Sequence, residues 1–274
     1  MIRKHFFNVS EFAEEATRRN PNSWDNASHQ NYKGTAWHGT ATFEDALYLN
    51  SHGWEAGRKI MFRELENMKA IAHGGDLPVW GHDVAGFLPD VPRAVIGIPD
   101  CMFSAGEFTH RAKPIIRILC NLGKTSDISG ESTNWHGAAI LSWVDRLEQL
   151  GFACEIVAAM QSAGYGSKDE NLITVDLKQA GEVLDLDRMA FALANPAFHR
   201  RFKFGVMENI PALSGLVGSH GSSRELSEKD KEDATVYIYR IGGNYTSRKH
   251  ALDNVSGFFK SHLEKAGITL PEGA

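Results

Sequence analysis

Three clusters in this chain set aromatic rings beside fixed positive charge. His199-Arg200-Arg201-Phe202-Lys203-Phe204 is the densest, and Arg3, Lys4, His5, Phe6 and Phe7 stand together near the start. In the third, Tyr237 and Tyr239 fall two apart, on one face of an expected strand, with Tyr245, Arg248, Lys249 and His250 close behind. Rings stack on unpaired bases at roughly 1–3 kcal/mol per base while cations follow the phosphates, so the chemistry suits single-stranded nucleic acid. The pattern predicts that Arg200, Arg201, Lys203, Arg248 and Lys249 meet phosphates and that Tyr237, Tyr239 and Phe7 stack. The opposing reading puts Phe202 and Phe204 in the core, sets the tyrosines against a helix and leaves the cations as a solvated face, the commoner outcome for such clusters.

Other candidates are weaker. Leu122-Gly123-Lys124-Thr125 resembles the end of a phosphate-binding loop, but Ile118 stands where that loop needs a glycine. Asp127-Ile128-Ser129-Gly130-Glu131-Ser132 offers hard oxygens suited to Mg²⁺ and resembles the D-x-S-x-S segment of von Willebrand A-like adaptors, with Glu131 in place of the second serine. A turn leading into a helix cap explains the same residues. Trp37-His38-Gly39-Thr40, followed by Gly53-Trp54, resembles the His-Gly-Thr segment of ADP-ribosyltransferases, which implies that His38 contacts an NAD ribose. The tyrosine-bearing strand and glutamate of that family find no counterpart between 80 and 110. The 12 histidines show no His-x-x-x-His pair, and Ser214, Ser219 and Ser222 lie in no G-x-S-x-G elbow. No catalytic residue, metal ligand or cofactor is therefore assigned.

The elements that must position these residues centre on 114–159. Ile115 to Leu122 is a β-branched run too short for a favoured helix, and Phe152 to Ala159 is a second buried strand. Between them Ser132 or Thr133 can cap a helix that runs to about Leu150 and ends at Gly151. Strand, helix and strand make a parallel βαβ unit. Further helices are expected from Asn8 to Arg19, from Thr42 to Gly53, from Trp54 to about Ala72, after Asp185, over 197–208 and from Ser247 to Ala266. Further strands are expected at Arg93–Ile98, Asn171–Leu177 and Thr235–Ile241. The fold class is α/β, a mainly parallel sheet with flanking helices around the βαβ core 114–159, in one domain spanning 1–274. An irregular α-rich N-terminal extension covers about 1–90, and the Gly/Ser-rich, then charged stretch 218–233 reads as a flexible excursion.

With 42% hydrophobic residues the composition is that of a globular protein, and no run approaches the roughly 18 apolar residues of a membrane span. A net charge of −5 excludes a surface that is basic all over but allows a local basic groove. The N-terminus lacks a signal-peptide core, and Cys101, Cys120 and Cys154 read as reduced thiols, so a cytoplasmic protein is expected. Across 35–210, Trp37-x-Gly39, Gly53-Trp54-x-x-Gly57, Asp90-Val91-Pro92, Gly97-Ile98-Pro99-Asp100-x-Met102, Phe191-Ala192, Pro196 and His199-Arg200-Arg201-Phe202 leading to Glu208 together resemble a tailed-phage protein family. By its similarity to members in N4-like phages, the resemblance implies a non-enzymatic protein in host cytoplasm that binds single-stranded DNA. It implies the phage RNA polymerase as partner, in early transcription or replication, and no membrane.

Overall fold

The computed structural model describes residues 1–18, 28–30, 34–69, 80–85, 88–105, 113–164, 170–210 and 222–270. β1 (Ile2–Phe6) opens the chain, so the charge-rich start is a strand. α1 (Val9–Thr17) follows Asn8, whose Oδ1 accepts from the Glu11 amide at 2.8 Å, while the Glu11 carboxylate accepts from the Phe7 amide. After α2 (Thr35–His38), Thr42 and Asp45 close a reciprocal capping box on α3 (Phe43–His52). α4 (Glu55–Lys69) is the second helical stretch. A small antiparallel sheet comes next, from β2 (Trp80–Asp83), β3 (Leu88–Pro89) and β4 (Met102–Ala105), in the order β2-β4-β3. Where a strand was expected at Arg93–Ile98, the structure has α5 (Val91–Val95). Asp90 caps it and Pro92 sits in its first turn, where a missing N–H is harmless.

β5 (Ile115–Asn121), α6 (Gly130–Gln149) and β6 (Ala153–Ala163) form the predicted parallel unit, with Ile115 opposite Ala153 and Asn121 opposite Ala159. The α6 cap is Ser129, not Ser132 or Thr133: Ser129 Oγ accepts from the Ser132 amide at 3.0 Å. β7 (Glu170–Lys178) then returns antiparallel to β6. Only six residues separate these strands, too few for the crossover that a parallel pair requires. The sheet is consequently mixed, with parallel and antiparallel pairs, rather than uniformly parallel.

α7 (Leu186–Ala194) starts at its Asp185 cap, and a π-helical turn over Phe198–Lys203 runs into α8 (Phe204–Asn209). β8 (Ser222–Ser223), α9 (Glu228–Lys231), β9 (Val236–Ile238) and α10 (Arg248–Lys265) complete the described elements. In the main sheet the order is β1-β7-β6-β5-β9, with β8 beside the end of β6. Residues 222–233 are thus built onto the sheet, with Leu226 buried, rather than standing off as a solvated excursion; 218–221 lie outside the described residues.

The two sheet faces differ. Ile116, Ile118 and Cys120 alternate onto the face covered by α1, α3, α4, α6, α7 and α10, where the main core lies. Leu119, Val157, Ala159, Leu172 and Tyr237 form a smaller cluster on the other face, under Leu226. Phe12, Phe43 and Met61 belong to the main core, so α1, α3 and α4 are part of the domain body and not an extension. Trp143 of α6 stacks on Phe259 of α10 at 5.1 Å and donates Nε1 to Ser256 Oγ, which fixes α10 alongside α6. No helix among the described residues is long and apolar enough to cross a membrane.

Candidate functional site

The predicted binding residues do not form one surface. Arg200, Arg201 and Lys203 are buried, and the reason is local: Ala, Phe, Met and Leu fill most positions from Met189 to Phe204 and every one of these residues is buried, so its helices are enclosed all round. Arg201, with no exposed surface, donates to the carbonyls of Ser28 at 2.7 Å, Thr40 at 3.0 Å and Ala41 at 3.1 Å, tying the loops around α2 to the domain. Arg200 donates to Trp37 O at 2.6 Å and to Thr125 O and Ile128 O, both at 3.0 Å, and lies 4.5 Å over the Trp37 ring. Lys203 Nζ donates to Ser162 Oγ at the end of β6. Tyr237 is also buried; its hydroxyl donates to Glu225 at 2.7 Å and accepts from Asn121 Nδ2 at 3.0 Å. None of these four can meet a phosphate or stack on a base as predicted.

Phe7 is 71% exposed, Tyr239 is partly exposed, and Arg248 and Lys249 are exposed. They are scattered. Phe7 follows the edge strand β1, four strand spacings from β9, or about 19 Å. Tyr239 rests on Phe258 and His262, 10 or more residues down α10 from Arg248, which is about 15 Å along the helix.

The structure does gather polar groups at the carboxyl ends of β5 and β9. Here the chain leaves β5 toward β6 on one side while β9 lies on the other, the place where open α/β sheets bind ligands. The loop before α10 docks on the start of α6: Asn244 Oδ1 accepts from the Ser129 amide at 2.7 Å, and the Tyr245 amide donates to Ser132 Oγ at 3.0 Å. Arg248 and Lys249, the first residues of α10, therefore stand at the same edge. Under this edge lies Lys124, 8% exposed, which sequence reasoning had set aside with the failed phosphate loop.

Lys124 is the unusual member. No acceptor or counter-ion meets its ammonium among the described residues, yet Nζ is not sealed from solvent. Burial, with the Arg200 charge added, holds its pKa well below the ordinary lysine value. His136, two turns into α6, is buried beside it; burial and then the Lys124 charge push that imidazole down to about 3, so it is neutral. Its Nδ1 pairs with Tyr245 Oη at 2.8 Å, while its buried Nε2 has no partner. Burial lowers Arg200 to about 10 and Lys203 to about 7. Asp127, held acidic by the Thr125 hydroxyl and its own backbone, is the acid whose charge acts on Arg200. The edge is thus cationic, and the N-terminus of the 20-residue α6 adds its partial positive charge.

The other motifs fare as follows. Ser129 Oγ is engaged as the helix cap and the Thr125 and Ile128 carbonyls are taken by Arg200, so the Asp127 segment presents few oxygens to a cation. No cluster of three His, Cys, Asp or Glu side chains is present among the described residues. His38 has no exposed surface, lies against Trp37, and has Nδ1 3.3 Å from Gly34 O, a position from which it cannot touch a ribose. No curated protein and no solved structure matches the chain. Residues 1–269 match the family described as Domain of unknown function (DUF7192), and the chain belongs to that family.

Proposed function

We propose that this chain is a non-enzymatic binding protein for single-stranded nucleic acid, and that it holds a backbone phosphate at the carboxyl edge of β5 over Lys124. The observation that carries the reading is the unpartnered Lys124 ammonium at the start of α6. A desolvated ammonium is unfavourable until an anion meets it, so a phosphate arriving here gains that charge and the partial positive charge at the start of α6. Arg248 and Lys249 offer charge for neighbouring phosphates at the same edge. This replaces the buried cations of 200–203 with a different set. In the tailed-phage setting that the sequence motifs resemble, such a protein would hold melted DNA for the phage RNA polymerase.

A magnesium-dependent adaptor using Asp127 and Ser129 is less well supported, because the Arg200 and Arg240 charges already act on Asp127 and repel a further cation at that loop. The test is fluorescence anisotropy with a labelled single strand and its duplex at two salt concentrations. Tighter binding to the single strand is expected, with a salt slope that falls by roughly 0.7 for each phosphate contact removed. A Lys124→Met protein that binds the strand as tightly as the wild type overturns the assignment.

A further inference from the structure

On the side of α6 turned away from Ser132 and His136, an open groove of about 700 Å³ runs past the first turn of the helix. Trp54 and Pro196 supply apolar wall, and Glu131 and Asn195 supply polar groups. Two glycines fix the indole. A Cβ on Gly57 would collide with the Trp54 ring, which therefore lies flat on α4. Gly53, at φ +84, has no room for a side chain beside Asp187, and the Trp54 amide donates to Asp187 O at 3.3 Å. The indole, packed partly against the main core, is thereby held in one place on the groove wall.

The polar groups are fixed as well. Asn195 is 2% exposed, its Oδ1 accepts from the Ala197 amide at 2.9 Å, and it occupies the space that a Cβ on Gly39 would need. Its Nδ2 donates to no atom among the described residues and is not sealed from solvent. The Glu131 carboxylate, exposed in the first turn of α6, has no bonding partner among the described residues. A buried amide and an exposed carboxylate with no bonding partner among the described residues thus belong to residues that line one groove with Trp54.

We infer that this groove takes an unpaired guanine, stacked on Trp54, with N1–H and N2–H donating to Glu131 and O6 accepting from Asn195 Nδ2. Guanine alone among the bases has two adjacent N–H donors and a carbonyl acceptor on one edge. Adenine and cytosine would turn a ring-nitrogen lone pair toward the carboxylate, and uracil or thymine would turn a carbonyl toward it. That edge is used by base pairing in a duplex, so the groove favours a single strand. The inference rests on the proposed nucleic-acid reading for its ligand, but its residues are distinct from Lys124.

The experiment is calorimetric titration of the full chain with GMP, AMP, CMP and inorganic phosphate. GMP is expected to bind about tenfold tighter than AMP or CMP, as one bidentate base contact would give. Glu131→Gln, at an exposed position, should bring the nucleotides within about twofold of each other, and Trp54→Leu should weaken GMP most. Equal affinity for GMP and AMP, or a preference that survives Glu131→Gln, overturns the inference. A guanine preference without phosphate binding overturns the Lys124 assignment alone. Phosphate binding without base preference overturns the guanine groove alone, and no binding of any probe overturns both.

Discussion

Lys203→Met should make the protein less sensitive to pH, by an amount the structure sets. Lys203 is 1% exposed and its one described bond is to the neutral Ser162 hydroxyl, so burial lowers its pKa to about 7. In the unfolded chain the value is near 10.5. Between these values the unfolded state binds the additional proton, so wild-type stability rises with pH across that window. From pH 7 to pH 9 the gain attributable to this one group is about 2 kcal/mol, at 1.36 kcal/mol per pKa unit. Methionine fills a similar volume and carries no charge. It leaves the Ser162 hydroxyl unpaired, a cost of roughly 1–3 kcal/mol that does not vary with pH. Urea unfolding of both proteins at pH 7, 8 and 9 should therefore give a wild-type minus variant difference that changes by about 2 kcal/mol in favour of the wild type. A difference that is flat with pH would show that Lys203 titrates normally and is solvated, which would refute the buried placement and restore it as a phosphate contact.

Lys124→Met should stabilise the protein near neutral pH, with a benefit that shrinks as pH approaches the ordinary lysine value. Urea unfolding of both proteins at pH 7 and pH 9 reads that change; a difference that is flat with pH would count against the buried amine. Arg201→Ala should destabilise by roughly 3–5 kcal/mol, because several buried carbonyls lose their donor, and a urea midpoint near that of the wild type would contradict it. Gly137→Ala should cost about 1–3 kcal/mol by overpacking, since the added Cβ would lie 2.6 Å from Ala194 Cβ where α6 crosses α7; a circular-dichroism melt that does not move would contradict that.

The elements were more readable than the surfaces. The Asn8, Thr42, Asp185 and Ser247 caps, the Gly53 stop and the β5-α6-β6 unit all follow from short-range rules, because a cap or a β-branched run acts within a few residues. The antiparallel return of β7 was less legible, because the expected strands ended at Ala159 and began at Asn171, and only the observed extension of β6 to Ala163 leaves six residues, too few for a crossover. Burial of Arg200, Arg201 and Lys203 was harder to see. Charge normally marks a solvated face, and only the Ala, Phe, Met and Leu residues interleaved through Met189 to Phe204 signal that this segment has no such face. β1 was hidden because its cations look outward from an edge strand, with Arg3 paired to Asp230.

That inversion also explains why the candidate site escaped the sequence. A motif search discards Gly123-Lys124-Thr125 for lacking an upstream glycine, yet the loop lies at a strand's carboxyl end and before a helix, as a phosphate loop does. What makes Lys124 distinctive is the absence of an acid beside it among the described residues, which no spacing rule encodes. Arg200 satisfies its hydrogen-bonding needs with the carbonyls of Thr125 and Ile128 and closes the loop around Lys124 without neutralising it. Of the buried cations predicted to bind phosphate, Arg200 alone holds this loop, while Arg201 ties down the loops around α2 and Lys203 bonds Ser162. Lys124→Met therefore separates the proposed phosphate contact from these structural roles.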